Sequence, residues 1–212
     1  MAAPTKLDLT REHRALFTAP TADFVEVDVP ELTHLALAGH GDPNTAPAYA
    51  EAVGALYAVS YSLKMTSKRS GGPDWTVAPL EGLWDAADPS VFTRGRKTEW
   101  DWTMLILQPA HVDAAAFEAA VAAVATKKPE LAEPLARLEL RRWTEGRSLQ
   151  ILHVGPYDDE APTLARLHDE VMPERGLAFD GLHHEVYLGD PRRAAPEKLR
   201  TILRQPVRPS VE

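Results

Sequence analysis

The sequence predicts an α+β fold of two similar halves, with antiparallel sheets forming a central ligand groove and helices on the outer face. Three observations predict it. The segment order β-β-α-β-β reads twice along the chain, over about 24–109 and about 136–207, with slight residue identity between the halves. The helix of each half follows a comparable glycine turn, Leu37-Ala38-Gly39-His40-Gly41 in the first and His153-Val154-Gly155-Pro156-Tyr157 in the second. Two half-domains that each put a helix on one sheet face leave the opposite faces to meet or to form a groove, a usual location for a ligand. The expectation is one domain, 24–207, with internal pseudo-two-fold symmetry, and an N-terminal leader, 1–23, packing on it.

In the first half, Phe24 to Val29 alternates strictly, the period of a half-buried strand. After Pro30 the run Leu32 to Ala38 continues β-rich, so a strand pair is expected. Tyr49 to Lys68 carries Val53, Leu56, Tyr57, Ser60 and Leu63 at helical spacing and is stopped by Ser70-Gly71-Gly72-Pro73. A strand from Trp75 to Trp84, a loop through Asp88-Pro89 and a strand from Thr98 to Gln108 complete the half. Between the halves, Val112 to Thr126 is alanine-rich and helical, and Pro129 to Ala136 forms a short helix or turn. In the second half, Leu138 to Thr144 and Leu149 to Val154 flank Glu145-Gly146 as a hairpin, and a helix runs from about Asp159 to Met172. The strand His183 to Leu188, a break at Asp190-Pro191 and a final run from Leu199 to Val207 follow.

Composition narrows the function. The chain has 212 residues, 44% hydrophobic and 25% charged, an ordinary globular mixture. A net charge of −8 argues against nucleic acid as a partner, because phosphate binding needs a clustered basic surface, and it weakly favours cationic partners. The basic pairs Lys127-Lys128, Arg141-Arg142 and Arg192-Arg193 read as solvated faces. The absence of cysteine removes disulfides, thiolate nucleophiles and Cys-ligated metals and suits a reducing cytoplasm. Met1 to Pro20 has no signal-peptide core, and Ala110 to Ala125 is too short and too charged to cross a bilayer, so no membrane segment is expected. No H-E-x-x-H, P-loop, G-x-G-x-x-G or G-x-S-x-G occurs, so neither a metal nor a cofactor is expected.

Two strands hold residues suited to a pocket. In Gly181-Leu182-His183-His184-Glu185-Val186-Tyr187-Leu188, alternation places His183, Glu185 and Tyr187 on one face and His184, Val186 and Leu188 on the other. The second set is expected to face the helix, leaving a carboxylate flanked by an imidazole and a phenol to line the groove or to face solvent. In Glu99-Trp100-Asp101-Trp102-Thr103-Met104 the two indoles stand two residues apart on one strand face, and Trp84 on the neighbouring strand supplies a third wall. Indole faces bind cations and planar aromatics, although a single tryptophan more often fills a core. Tyr157, at a helix entrance, either points into the groove or packs on the surface. Glu81 and Glu99 are the other carboxylates that alternation leaves as candidates to point inward.

These segments resemble the GyrI-like small-molecule-binding family, related to the effector domains of multidrug-responsive transcription regulators. Four stretches carry the likeness: Leu7-Asp8-Leu9-Thr10 with Phe17-Thr18-Ala19-Pro20, Thr98 to Thr103, His183 to Arg193 and Lys198 to Val207. The match is nearest to the free-standing branch, which lacks a DNA-binding helix-turn-helix. The resemblance implies a duplicated β-α-β-β architecture, aromatic walls and a buried glutamate that recognises cationic, lipophilic compounds. Glu185 corresponds to that glutamate, with Trp84, Trp100, Trp102, Tyr157, His183 and Tyr187 around it. The function implied is polyspecific binding of planar drugs, dyes or toxins, giving sequestration or resistance in a bacterial cytoplasm. The alternative is a detoxifying hydrolase that opens the cyclopropane of DNA-alkylating natural products, with Glu185 activating water and Tyr157 assisting. A protein partner such as gyrase is not expected, because no long acidic run is present to mimic DNA.

Overall fold

Two strands of 16 residues each, Val25–His40 and Glu139–Val154, set the frame of this computed structural model, which describes residues 6–85 and 96–210. The expected loop through Asp88-Pro89 lies outside the described residues. Along the chain the elements are β1 (Leu7–Asp8), α1 (Leu9–Glu12), β2 (Val25–His40), α2 (Pro47–Arg69), β3 (Trp75–Thr76), β4 (Leu80–Asp85), β5 (Asp101–Gln108), α3 (Ala114–Lys127), α4 (Ala132–Arg137) and β6 (Glu139–Val154). They continue with α5 (Ala161–Arg166), a π-helical turn at Leu167–Val171, α6 (Met172–Glu174), β7 (Leu177–Phe179), β8 (His183–Tyr187) and β9 (Arg200–Pro209).

The predicted α+β class and duplication hold. Strands pair in the order β2-β5-β4 in the first half and β6-β9-β8 in the second. The halves join twice, through β4–β8 and β2–β6, so six antiparallel strands close into a ring with no free edge between them. Each half is therefore β-α-β-β, and the strand pairs expected at its start are single long strands. Pro30 and Glu145-Gly146 read as breaks in sequence but fall within the ladder. Pro30 and Glu145 lie opposite each other between the pairs Val29–Gly146 and Glu31–Thr144. Pro30 is tolerated because β5 reaches β2 only from Thr33 onward, so one side of β2 needs no donor there. Gly146 takes φ of +77°, which bends β6 around the ring rather than reversing it. The expected Trp75 to Trp84 strand is split into β3 and β4 around Pro79.

Both major helices cover the outside of the ring. Ala52, Ala55, Leu56, Val59, Ser60 and Leu63 form the buried stripe of α2, and Ser60 Oγ accepts from Gln108 Nε2 at 3.2 Å. Pro47 starts the helix where a missing N–H costs nothing, and Gly71 at φ +75° ends it. Asp113 caps α3 by accepting from the Ala116 amide at 2.8 Å. The second helix packs Leu167, Val171 and Met172 on Ile151 and Leu203. Its π-helical turn precedes Pro173, which has no N–H for a regular helical bond.

The inside of the ring holds charge. His184 lies between two carboxylates, its Nδ1 2.8 Å from Glu145 Oε1 and its Nε2 3.0 Å from Glu81 Oε2. Arg204 donates to Glu145 at 3.1 Å, to Gln150 at 3.1 Å and to the Leu16 carbonyl at 2.6 Å. Gln150 donates to the carbonyls of Ala15 and Thr18 at 2.7 and 3.0 Å, so the segment before β2 plugs this end of the ring. Leu9, Leu16 and Phe17 of that segment are buried. Burial favours a neutral imidazole, but the charge of Glu145 and the hydrogen bonds of both carboxylates outweigh it, and the His184 pKa rises to about 9. Burial likewise opposes ionisation of Glu145, and His184 and then Arg204 overcome it and hold its pKa near about 2. His34, 3.8 Å from Glu81, is different: burial dominates and lowers its pKa to about 4.

Candidate functional site

Strand register decides which side of the ring each candidate occupies. Directly opposed residues of antiparallel strands point the same way. Glu185 opposes Gly82 and Leu203, Tyr187 opposes Leu80 and Thr201, and Trp84 opposes both His183 and Trp102. This set shares its face with Leu203 under the second helix and with Trp102, whose ring meets Tyr49 of α2. Glu185 therefore lies on the outer, helix-bearing face, between the two helical layers. The expectation that His184, Val186 and Leu188 face a helix is corrected here. His184 and Val186 point into the closed ring, where the Glu81–Glu145–Arg204 cluster receives His184. An apolar/polar count along β8 could not find this, because the ring interior is polar at that level.

The aromatic groups converge as a set. Trp84 stacks with Tyr49 at 6.5 Å and meets Trp100 edge-on at 5.5 Å, and Tyr49 meets Trp102 edge-on at 5.2 Å. Tyr157 meets Tyr187 edge-on at 5.6 Å. Trp84 and Trp102 are 6% and 2% exposed and form the back of the site, whereas Trp100 and Tyr157 keep open surface. Trp100 precedes β5 rather than belonging to it, so it reaches the site from a turn, with Lys97 Nζ 5.7 Å from its ring centre. Trp102 lies flat on β2 because Gly39 has no side chain: a Cβ there would stand 2.1 Å from Trp102 Cη2. Its Nε1 donates to the Gly41 carbonyl at 3.2 Å.

Glu185 is the charged centre of this group. Its Oε1 is 3.4 Å from His183 Nε2, and the two side chains are 13% and 16% exposed. The Glu185 charge reaches Tyr49, Tyr157 and Tyr187; burial, then that charge, raises the phenols of Tyr49 and Tyr187, and burial followed by Glu160 and Glu185 raises Tyr157 to about 12. Of the other two carboxylates considered from sequence, Glu81 lies inside the ring and Glu99 pairs with Arg96 at 2.9 Å on the surface.

Two members were missed in the sequence. Tyr49 is the third residue of α2 and reads as part of its apolar stripe. Glu160 lies between the Tyr157–Asp159 turn and α5, where an acidic residue reads as a helix-start charge. It is 5% exposed, and its Oε1 has no hydrogen-bond partner among the described residues. Burial, then the charge of Glu185, pushes its pKa up to about 9, so it is a carboxylic acid at neutral pH. The arrangement thus sets a protonated carboxyl group near a second carboxylate against aromatic surface. Among the described residues no cluster suited to a metal ion occurs.

Residues 22–208 match the GyrI-like small molecule binding domain. The chain belongs to that family. Two relatives of known structure from Listeria innocua, one described as an uncharacterized conserved protein and the other as a hydrolase, are each 37% identical to it. Each comparison covers 96% of this chain and 100% of the relative, with TM-scores of 0.87 and 0.82. The EcmrR C-terminal domain, 9% identical, shares the fold at a TM-score of 0.55 over 88% of this chain and 98% of its own. No protein of curated function matches the sequence. No helix among the described residues is long and apolar enough to cross a membrane.

Proposed function

We propose that this GyrI-like domain binds planar, lipophilic small molecules, cations among them, in the cleft where Trp84, Trp100, Trp102, Tyr49, Tyr157 and Tyr187 gather around Glu185. The observation that carries the proposal is this convergence of aromatic rings on one partly buried carboxylate. Stacking on such rings is sequence- and shape-tolerant, and an anion beneath them adds preference for positive charge, each good contact contributing about 0.5–2 kcal/mol. Polyspecificity follows, because flat dispersion surfaces fix a plane and not an outline. A planar cationic dye is expected to quench tryptophan fluorescence, and Trp100→Ala, Trp102→Ala and Glu185→Ala are each expected to weaken its binding. Unchanged affinity in all three would remove the assignment.

A second reading, turnover, is favoured by the raised pKa of Glu160 beside Glu185 and by the description of a 37% identical relative as a hydrolase. In it, a cyclopropane conjugated to a carbonyl stacks on the indoles. Glu185 takes a proton from water while the water oxygen bonds to a ring carbon. The ring C–C bond breaks, its electron pair passes into the conjugated carbonyl, and protonated Glu160 supplies the proton that the oxygen gains. Tyr157 helps orient the water. Glu185→Gln is expected to lower kcat for a cyclopropane-bearing alkylator at least about 100-fold, the usual worth of a positioned base, while binding of a neutral planar analogue persists. Equal turnover by wild type and Glu185→Gln excludes this reading and leaves binding alone.

A further inference from the structure

Trp84 does more in this geometry than wall the cleft. Its indole is almost wholly buried, and its Nε1 donates to the Tyr187 hydroxyl oxygen at 3.0 Å. With that oxygen already accepting, the hydroxyl proton of Tyr187 is left to donate, and Glu185 stands two residues away on the same strand face, opposite the glycine over which the hydroxyl lies. A hydrogen bond received by a hydroxyl strengthens the one it gives. Gly82 makes the contact possible. It is the direct cross-strand partner of Glu185, and a Cβ at this position would stand 3.0 Å from the Tyr187 hydroxyl, 3.1 Å from Trp84 Nε1 and 3.3 Å from the Met104 methyl. Any side chain there presses on both partners of the bond.

We infer that Trp84, Tyr187 and Gly82 form a relay that orients the Glu185 carboxylate, with Trp84 a positioning residue acting through Tyr187. This rests on the reading of Glu185 as the centre of the cleft. The groups that face Glu185 are His183 and Tyr187 on β8, Tyr49 on α2, and Tyr157 and Glu160 at the start of the second helix, so a titration seen at Trp84 has to be traced to its source by substitution.

The test is an NMR titration of the full chain labelled with 15N-tryptophan, the Trp84 indole signal being assigned by Trp84→Phe. The wild-type Trp84 Nε1–H resonance is expected to move as pH is lowered, and to stop doing so in Glu185→Gln and in Tyr187→Phe. A Trp84 signal that titrates the same way in Glu185→Gln, or in Tyr187→Phe should the first variant fail to fold, overturns the relay. Ethidium affinity, followed by dye anisotropy with neutral Nile red as the comparison dye, reads the consequence. Gly82→Ala is expected to weaken ethidium about fivefold at pH 7, the worth of one hydrogen bond, and to leave Nile red within about twofold. Equal weakening of both dyes by Gly82→Ala overturns the positioning role. Wild-type protein that binds neither dye, with the NMR result intact, removes the binding proposal and keeps the relay.

Discussion

At Glu160, burial and the nearby Glu185 charge both oppose ionisation, so the side chain keeps its proton up to about pH 9. The unfolded chain gives up that proton near the ordinary carboxylate value. Between the two the folded state binds more protons than the unfolded one, so this group lowers stability as pH rises from about 4.5 to about 9. Glu160→Gln, which keeps shape and neutrality, is expected to raise Tm at pH 8 by at least about 2–4 °C, the shift that about 1 kcal/mol gives a chain of this size, and to have little effect at pH 4. Calorimetry at both pH values checks it; an equal change at the two pH values refutes the protonated state. The shared strand face of His183, Glu185 and Tyr187 was legible in the sequence by alternation, which left it to line the groove or to face solvent; the family resemblance singled out Glu185. Glu160 was not, since an acidic residue at a helix start has an ordinary explanation and its burial is a matter of tertiary packing.

Among the elements, β2 and β5 show how a glycine in a strand acts through its neighbour. Trp102 rests on the backbone at Gly39, and a methyl group there meets the six-membered ring. Gly39→Ala is expected to cost about 1–3 kcal/mol by overpacking, and to shift the tryptophan emission as Trp102 is displaced from Tyr49. Urea unfolding and emission spectra measure the two effects together, and stability within about 0.5 kcal/mol of wild type contradicts the packing described. The helices were legible: the spacing of Leu56, Ser60 and Leu63 survives in the buried stripe of α2. The two long strands were not. Pro30 and Glu145-Gly146 carry the local chemistry of turns, and only their opposition across the β2–β6 ladder keeps them within strands.

For the whole molecule, ring closure is what gives the interior its electrostatics. His34 and Glu145 both hold their protons less firmly in the fold than in the unfolded chain, so as pH falls below about 6.5 the unfolded chain first binds a proton that buried His34 refuses until about pH 4, and below about 4.5 another that Glu145 refuses until about pH 2. On the alkaline side His184 keeps its proton to about pH 9 while the unfolded chain loses its own near 6.5, so that stabilisation is full below 6.5 and is lost as pH rises through 9. The urea midpoint is therefore expected to peak near about pH 6 and to fall on both sides. His184→Gln is expected to cost about 3–5 kcal/mol at that pH, because Glu81 and Glu145 lose their shared cation, and to flatten the alkaline limb. A variant with the wild-type alkaline slope would place the titrating group elsewhere.

What the sequence by itself determined is whatever depends on neighbours in the chain. The repeated order of strands and helices, the helical stripes, and the shared face of His183, Glu185 and Tyr187 follow from backbone periods of 3.6 and 2 that hold in any context. Tertiary structure alone decided which face was inside. Closing β4 on β8 and β6 on β9 and β2 turned His184 into a sealed ring and set Glu185 beneath two helices, and it brought Tyr49 and Glu160 from opposite halves to the same carboxylate. Those placements are differences in burial and charge between distant segments, which no local pattern encodes.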